Sequence, residues 1–169
     1  MRAVVCEALA EDYSRVALKD VPLPQPGPGE ARVKVEAASL NFPDLLMLKG
    51  QYQFKPDPPF TVGMDLAGVV DAVGPSIGNG VTLKPGTRVA GGAKTGAFAD
   101  YAVCPAANLH VVPVGMAAPM AAAYPAAYVT AYASTSDLEN SPTEDGDTWR
   151  TALPVMTLQA PYHLRLPVQ

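Results

Sequence analysis

The stretch "EARVKVEAASLN", residues 30–41, decides the fold because its side chains alternate in character. Val33 and Val35 stand between charged residues, which is the period of a β-strand with one buried and one exposed face. Around this stretch, 18 prolines and 14 glycines in 169 residues cut the chain into short segments, most of which favour strands over helices. The sequence therefore predicts a mainly β fold with short helices, arranged as a small antiparallel barrel or sandwich.

Other segments predict the remaining strands and two helices. The strand candidates are RAVVCEAL (2–9), SRVALKDV (14–21), TVGMDLAGVVDAVG (61–74), GTRVAGG (86–92), GAFADYAV (96–103) and NLHVVP (108–113). We expect residues 61–74 to form one strand that bends where its glycines allow close contacts. Residues 43–49 predict a two-turn helix ended by Gly50, and residues 117–134 predict an alanine-rich helix interrupted at Pro125.

The step Asn41-Phe42-Pro43-Asp44 opens the first of these helices, and two interpretations of it stand. Asn followed three residues later by an acidic residue is close to a capping box, and Pro43 suits a first helical turn. The same polar side chains, followed by Tyr52, would also suit the edge of an active site. These residues alone do not decide between a helix cap and a site.

Composition excludes several classes of function. A net charge of −4 and a pI of about 5.0 leave no basic surface for nucleic acid. No apolar run resembles a signal peptide or a membrane span, which predicts a cytoplasmic location and no membrane partner. Cys6 and Cys104 lack metal-site spacing and are expected to be buried thiols, and His110 is expected to be an ordinary strand residue. Glycine-rich phosphate loops and common hydrolase motifs are missing from the sequence.

Five segments occur in an order that resembles a known family. They are SLNFPDLLMLKGQYQ (39–53), PFTVGMDLAGVVDAVG (59–74), LKPGTRVAG (83–91), GAFADYAV (96–103) and AAAYPAAYVTAY (121–132). Together they resemble the N-terminal half of the medium-chain dehydrogenase/reductase superfamily, and within it the zinc-free quinone oxidoreductase (zeta-crystallin-like) family. The resemblance covers residues 1 to about 134 and implies a GroES-like, partly open β-barrel. Thr87 stands where the family usually has an aspartate that is expected to fix a turn, so the local geometry is expected to differ there.

The resemblance also implies which metal and cofactor to expect. Zinc-dependent relatives carry cysteine where this chain has Asn41, and Gly-His-Glu where it has Gly63, Met64 and Asp65. An amide and a thioether are poor zinc ligands, so we expect no zinc. The chemistry that remains in the family is hydride transfer from NADPH to a quinone or an α,β-unsaturated carbonyl.

By resemblance, the substrate cleft is lined by Asn41, Asp44 and Tyr52. Tyr52 would donate a proton to the oxyanion that develops on the substrate, and Asn41 would hold the substrate or the nicotinamide amide. Thr130 matches a family threonine close to the nicotinamide. Simpler alternatives remain: Tyr52 as a residue of the barrel rim, and Thr130 as a helix residue bonded to its own backbone. The glycines at 63, 68 and 74 are expected to serve backbone packing alone.

After Ser134 the resemblance ends, and the family's glycine-rich Rossmann domain does not follow. We therefore expect a GroES-like domain at residues 1–134 with a weakly ordered or unrelated tail at 135–169. Such a chain would bind NADPH weakly or not at all and would be nearly inactive alone. The alternative is a non-catalytic binding or subunit-interaction module, in which exposed apolar barrel surface favours a homo-oligomer.

Overall fold

The computed structural model describes residues 1–76, 83–129 and 131. The chain divides into two units, Met1–Ala126 and Ala127–Gln169, and the sheets lie in the first. The strands are β1 (Arg2–Cys6), β2 (Val16–Asp20), β3 (Glu30–Ser39), β4 (Phe60–Thr61), β5 (Asp65–Val73), β6 (Arg88–Gly92), β7 (Tyr101–Pro105) and β8 (Leu109–Val111). The helices are α1 (Phe42–Leu48) and α2 (Ala118–Tyr124), with a 3₁₀ turn at Ala106–Asn108 and a π-helical turn at Pro125–Val129.

These strands form two antiparallel sheets. The smaller sheet has the order β2-β1-β4 and the larger one the order β7-β3-β5-β6-β8. Among the described strands neither sheet closes on itself, so the predicted mainly β, partly open architecture is confirmed. The prediction of short helices is confirmed as well, since α1 and α2 each contain seven residues.

Strand β3 has the alternation that its sequence predicts. Ala31 and Val33 are fully buried in the core of the larger sheet, whereas Lys34 and Glu36 are exposed. The strand lies between β7 and β5, so its backbone groups are paired on both sides. Burying one face of a central strand contributes roughly 25 cal/mol per Å² of apolar surface, which explains why this stretch organises the sheet.

The prediction of one bent strand at residues 61–74 is wrong, because the chain forms two strands there. Strand β4 pairs with β1 in the smaller sheet, and β5 pairs with β3 in the larger one. Between them Gly63 has a φ of +97°, a conformation that breaks a regular strand and that other residues rarely adopt. A Cβ on Gly63 would also lie 2.4 Å from Cδ1 of Phe98.

The close contacts predicted for the glycines are confirmed. A Cβ on Gly68 would lie 2.1 Å from the carbonyl oxygen of Lys34, and one on Gly74 would lie 1.9 Å from that of Gly27. Both distances are far below any van der Waals contact, so each position lets one backbone segment cross another. The glycines therefore determine how the sheet packs.

The predicted helix ends also agree with the structure. Gly50, with a φ of +67°, follows α1, and Pro125 follows α2. The turn at Thr87 is formed although the family's aspartate is replaced, since Oγ1 of Thr87 accepts a hydrogen bond of 3.3 Å from the N–H of Lys84. Thr130 and the predicted tail at 135–169 lie outside the described residues. Within the described part of the chain, every helix is too short or too polar to cross a membrane.

Candidate functional site

The helix start at Asn41 is a cap, as one of the two interpretations predicts. Asn41 is the N-cap residue in an extended conformation, and Asp44 reaches back to it. The Asn41 N–H donates a hydrogen bond of 2.8 Å to Oδ2 of Asp44, and the Asp44 N–H donates one of 3.0 Å to the Asn41 carbonyl. These bonds satisfy amides that the helix itself leaves unpaired.

The Asn41 side chain points away from the helix to a residue that sequence reasoning did not select. Its Nδ2 donates a hydrogen bond of 2.9 Å to Oδ2 of Asp65, at the start of β5. This contact follows from the sheet register, which places Ser39 at the end of β3 opposite Asp65. The signal available in the sequence was an acidic residue at the start of a mainly apolar strand, within the segment compared with zinc ligands.

Two carboxyl groups therefore meet at this helix start. Asp44 is fully buried, and in the described part of the chain its Oδ1 has no hydrogen-bond partner. Burial raises the pKa of Asp44, although the N–H groups of Asn41 and Met64 act in the opposite direction. Burial also raises the pKa of Asp65, and the neighbouring charge of Asp44 adds to that effect. Each group therefore loses its proton at a higher pH than an exposed aspartate does.

A cleft of about 390 Å³ opens beside Asp65. Its lining combines small residues with a few polar side chains: Met64, Asp65, Gly91, Gly92, Ala93, Lys94, Ala107, Asn108, His110 and Pro125. Cleft volumes of this order suit a small organic ligand. His110, expected to be an ordinary strand residue, is exposed at the middle of β8 and faces this cleft. Asp65 connects the cleft to the buried helix cap.

Tyr52 is not brought into this cluster by the described contacts, and Thr130 lies outside the described residues. Tyr52 is half-buried in the loop after α1, does not line the cleft, and its hydroxyl makes no hydrogen bond within the described residues. The same loop nevertheless approaches the cleft, because Nζ of the lining residue Lys94 lies 4.8 Å from the ring centroid of Phe54. The roles of Tyr52 and Thr130 stay predictions.

The hydrogen-bonding capacity of Asn41 is compatible with the carboxamide of a nicotinamide cofactor. Asn41 directs its amide hydrogens to Asp65 and, at 3.4 Å, to the Ser39 carbonyl, and its Oδ1 accepts one bond from the Ser39 hydroxyl. One lone pair on that oxygen is left for the carboxamide N–H of a nicotinamide. Among the described residues, no group of three or more His, Cys, Asp or Glu side chains is placed to hold a metal ion.

Comparisons with known proteins give this arrangement a family. A model of the alcohol dehydrogenase GroES-like domain matches residues 27–114. The synaptic vesicle membrane protein VAT-1 homolog of Mus musculus is 38% identical over 130 residues, which are 76% of this chain and 31% of that protein. Quinone oxidoreductase-like protein 2 of Rattus norvegicus is 37% identical over 112 residues, which are 66% of this chain and 30% of that protein.

Solved structures agree with this match. The quinone oxidoreductase of Thermus thermophilus, whose structures include a complex with NADPH, superposes with a TM-score of 0.70 at 32% identity. That superposition covers 84% of this chain and 42% of the other, and the chain spans about a third of the length of the two curated relatives named above. The chain therefore belongs to the alcohol dehydrogenase GroES-like domain family.

Proposed function

We propose that this chain is the substrate-side domain of an NADPH-dependent reductase of quinones or α,β-unsaturated carbonyls. The observation that supports it most is the cleft beside Asp65, because this cleft adjoins the helix start at which Asn41 and Asp44 were expected to act. The solved relative from Thermus thermophilus is a quinone oxidoreductase and binds NADPH. Bound NADPH would supply a hydride, so this domain must hold the substrate and stabilise the charge that develops on it.

The side chains of the cleft suit these tasks. Asn108, His110 and Lys94 provide hydrogen-bond donors for a substrate oxygen, while the small residues leave room for a flat ring. Asn41 would orient the substrate or the nicotinamide with its remaining lone pair. Asp44 would act by fixing Asn41, since its own carboxyl is fully buried. Tyr52 stays a candidate donor that would have to approach with its loop.

Duroquinone binding to the purified chain tests this proposal. We expect the amide signals of Gly92, Ala93 and Asn108 to shift in an NMR titration. The variant Ala107→Trp fills the cleft from an exposed lining position and should weaken binding at least tenfold. The variant Ala8→Trp is the matched control, because Ala8 is exposed and does not line the cleft. Equal affinity of the two variants, or no binding by the wild type, would contradict the proposal.

We further propose that the chain alone does not turn over NADPH. A cofactor without a site for its pyrophosphate loses much of the binding energy that holds the nicotinamide against the substrate. The absorbance of NADPH mixed with the 169-residue chain and duroquinone should therefore decay at the rate of buffer. Steady oxidation proportional to protein concentration would refute this statement.

A second candidate function is a subunit-interaction module. Val111 and Val114 are strongly exposed, at 64% and 104% of their reference areas, and exposed apolar surface of this kind favours association. The partner proposed here is a second copy of this chain. Sedimentation should then show a concentration-dependent dimer that Val111→Lys weakens, together with no affinity for duroquinone. A monomer at all concentrations would exclude this candidate.

A further inference from the structure

We propose that Asp65 is the proton donor of the cleft, with Asn41 and Asp44 as its positioning residues. The inference rests on the proposed function, since it assigns a role within the same reduction. In this role the carboxyl group of Asp65 hydrogen-bonds the carbonyl oxygen of a bound quinone or enone and gives its proton to that oxygen. Asp65 replaces Tyr52 in this role because Asp65 lines the cleft and Tyr52 does not.

The geometry holds Asp65 in one orientation. One oxygen of its carboxyl group is bound by the Asn41 amide at 2.9 Å, and the residue is anchored in β5 opposite Ser39 and Gly92. Asn41 in turn is fixed by its backbone bond to Asp44 at 2.8 Å. A carboxyl group with one oxygen tied and its residue at a cleft has the position that a general acid requires.

The surrounding charges favour a proton on this group. Asp44 and Asp65 are neighbouring carboxyl groups, so a negative charge on one disfavours a second charge on the other, and the pair binds its first proton more readily than an isolated carboxyl does. The hydrogen bond from Asn41 lowers the pKa of Asp65, but burial and Asp44 raise it by more. Lys94, which follows β6, and His110, in β8, face the cleft and would also favour the carboxylate. Neither forms an ion pair with Asp65 in the part of the chain that the structure describes, so burial and Asp44 dominate.

The proposed step balances as follows. The quinone receives a hydride, and with it two electrons, from a dihydronicotinamide, which is thereby oxidised to the pyridinium form. The O–H bond of the Asp65 carboxyl breaks as a new O–H bond forms on the reduced oxygen. The hydride thus supplies one hydrogen of the hydroquinone and Asp65 supplies the other, so the neutral product needs no further proton. Water then returns a proton to the Asp65 carboxylate. In an enone, the same proton goes to the enolate oxygen.

The experiment uses the full 169-residue chain, duroquinone and N-benzyl-1,4-dihydronicotinamide, a small hydride donor that needs no pyrophosphate site. We expect the wild type to accelerate the reduction over buffer, with the acceleration falling as pH rises and Asp65 loses its proton. The variant Asp65→Asn should bind duroquinone within about twofold of the wild type but lose at least about tenfold of the acceleration. Asp65→Glu should retain part of it. The control Asp20→Asn changes an exposed carboxyl at the end of β2 and should alter neither quantity.

Asp44→Asn tests the positioning role through the pH profile. Because the charge of Asp44 raises the pKa of Asp65, this variant should move the falling limb to lower pH, an effect that a loss of stability alone would not cause. If duroquinone binds and Asp65→Asn accelerates its reduction as much as the wild type does, the inference is wrong. Binding without any acceleration by the wild type also overturns it. Duroquinone that does not bind the wild type overturns the proposed function, and this inference with it.

Discussion

Asp44 is a buried carboxyl group whose protonation is coupled to stability. It is fully excluded from solvent, and it accepts the backbone bond that starts α1. Truncation to alanine would remove that acceptor and leave the partly buried N–H of Asn41 without it, at a cost of about 1–3 kcal/mol. The carboxyl therefore stabilises the helix start, while its charge is disfavoured by the same burial.

The pH dependence of stability follows from the direction of this pKa shift. The folded-state pKa of Asp44 is raised by burial, so the folded chain binds a proton more tightly than the unfolded one. The stability that this proton contributes is fully present below the pKa of about 3.9 that Asp44 has in the unfolded chain. It is lost as pH rises through the higher pKa that Asp44 has in the folded chain. Urea denaturation should show the largest difference in unfolding free energy between the wild type and Asp44→Asn at about pH 4. The difference should be smaller at about pH 8.

Asp100 serves as the control because its pKa is shifted in the opposite direction. Hydrogen bonds from the Arg2 backbone and side chain hold the pKa of Asp100 below its usual range. Its contribution is thus present above the unfolded pKa and lost as pH falls. The gap between the wild type and Asp100→Asn should therefore widen from low to neutral pH. If the stability differences of Asp44→Asn and Asp100→Asn from the wild type change in the same direction with pH, the raised pKa assigned to Asp44 is incorrect.

At the scale of elements, Gly63 determines that β4 and β5 join different sheets. Its φ of +97° ends the strand, and its missing Cβ leaves room for the ring of Phe98. Gly96 has a similar φ of +107°, yet a Cβ there would meet nothing within 4 Å. A side chain at Gly96 would meet backbone strain alone, whereas one at Gly63 would meet backbone strain and a clash with Phe98.

This pair gives a matched prediction for alanine substitutions. Gly96→Ala should lower the unfolding free energy by about 1–3 kcal/mol through backbone strain alone. Gly63→Ala should cost about 1–3 kcal/mol more, because the new methyl group displaces Phe98 from its packing. Urea denaturation of both variants measures the difference. Equal losses would mean that the Phe98 ring moves without cost.

The sequence predicts the elements better than the contacts between them. The alternation in β3 and the Asn41 cap are local patterns, so they were predictable from neighbouring residues. The break at Gly63 was not, because a glycine that bends a strand and one that ends it have the same sequence. Asp65 was missed for a related reason: its contact with Asn41 spans 24 positions and exists only in the β3–β5 register. Long-range pairing of this kind has no local signal.

At the scale of the whole molecule, one segment joins the two sheets. Phe98 packs against the cores of both, its N–H donates to the Val62 carbonyl at 2.8 Å, and its carbonyl accepts from the Val4 N–H at 2.8 Å. The Asp100 N–H continues the connection with a bond of 3.0 Å to the Arg2 carbonyl. Opening either sheet would break these contacts, which predicts that both sheets unfold together.

The two buried cysteines test this cooperativity because each reports one sheet. Cys6 lies in β1 of the smaller sheet and Cys104 in β7 of the larger one, both fully excluded from solvent. Burial raises the pKa of both thiols, that of Cys104 to about 12, so neither should react with iodoacetamide in the native state. Labelling followed by mass spectrometry across a urea series should give the same opening free energy for both, after correction for the reactivity of each unfolded thiol. A Cys6 that opens about tenfold more often, or about 1.4 kcal/mol more easily, would show that the smaller sheet unfolds first and that the Phe98 segment does not couple the two.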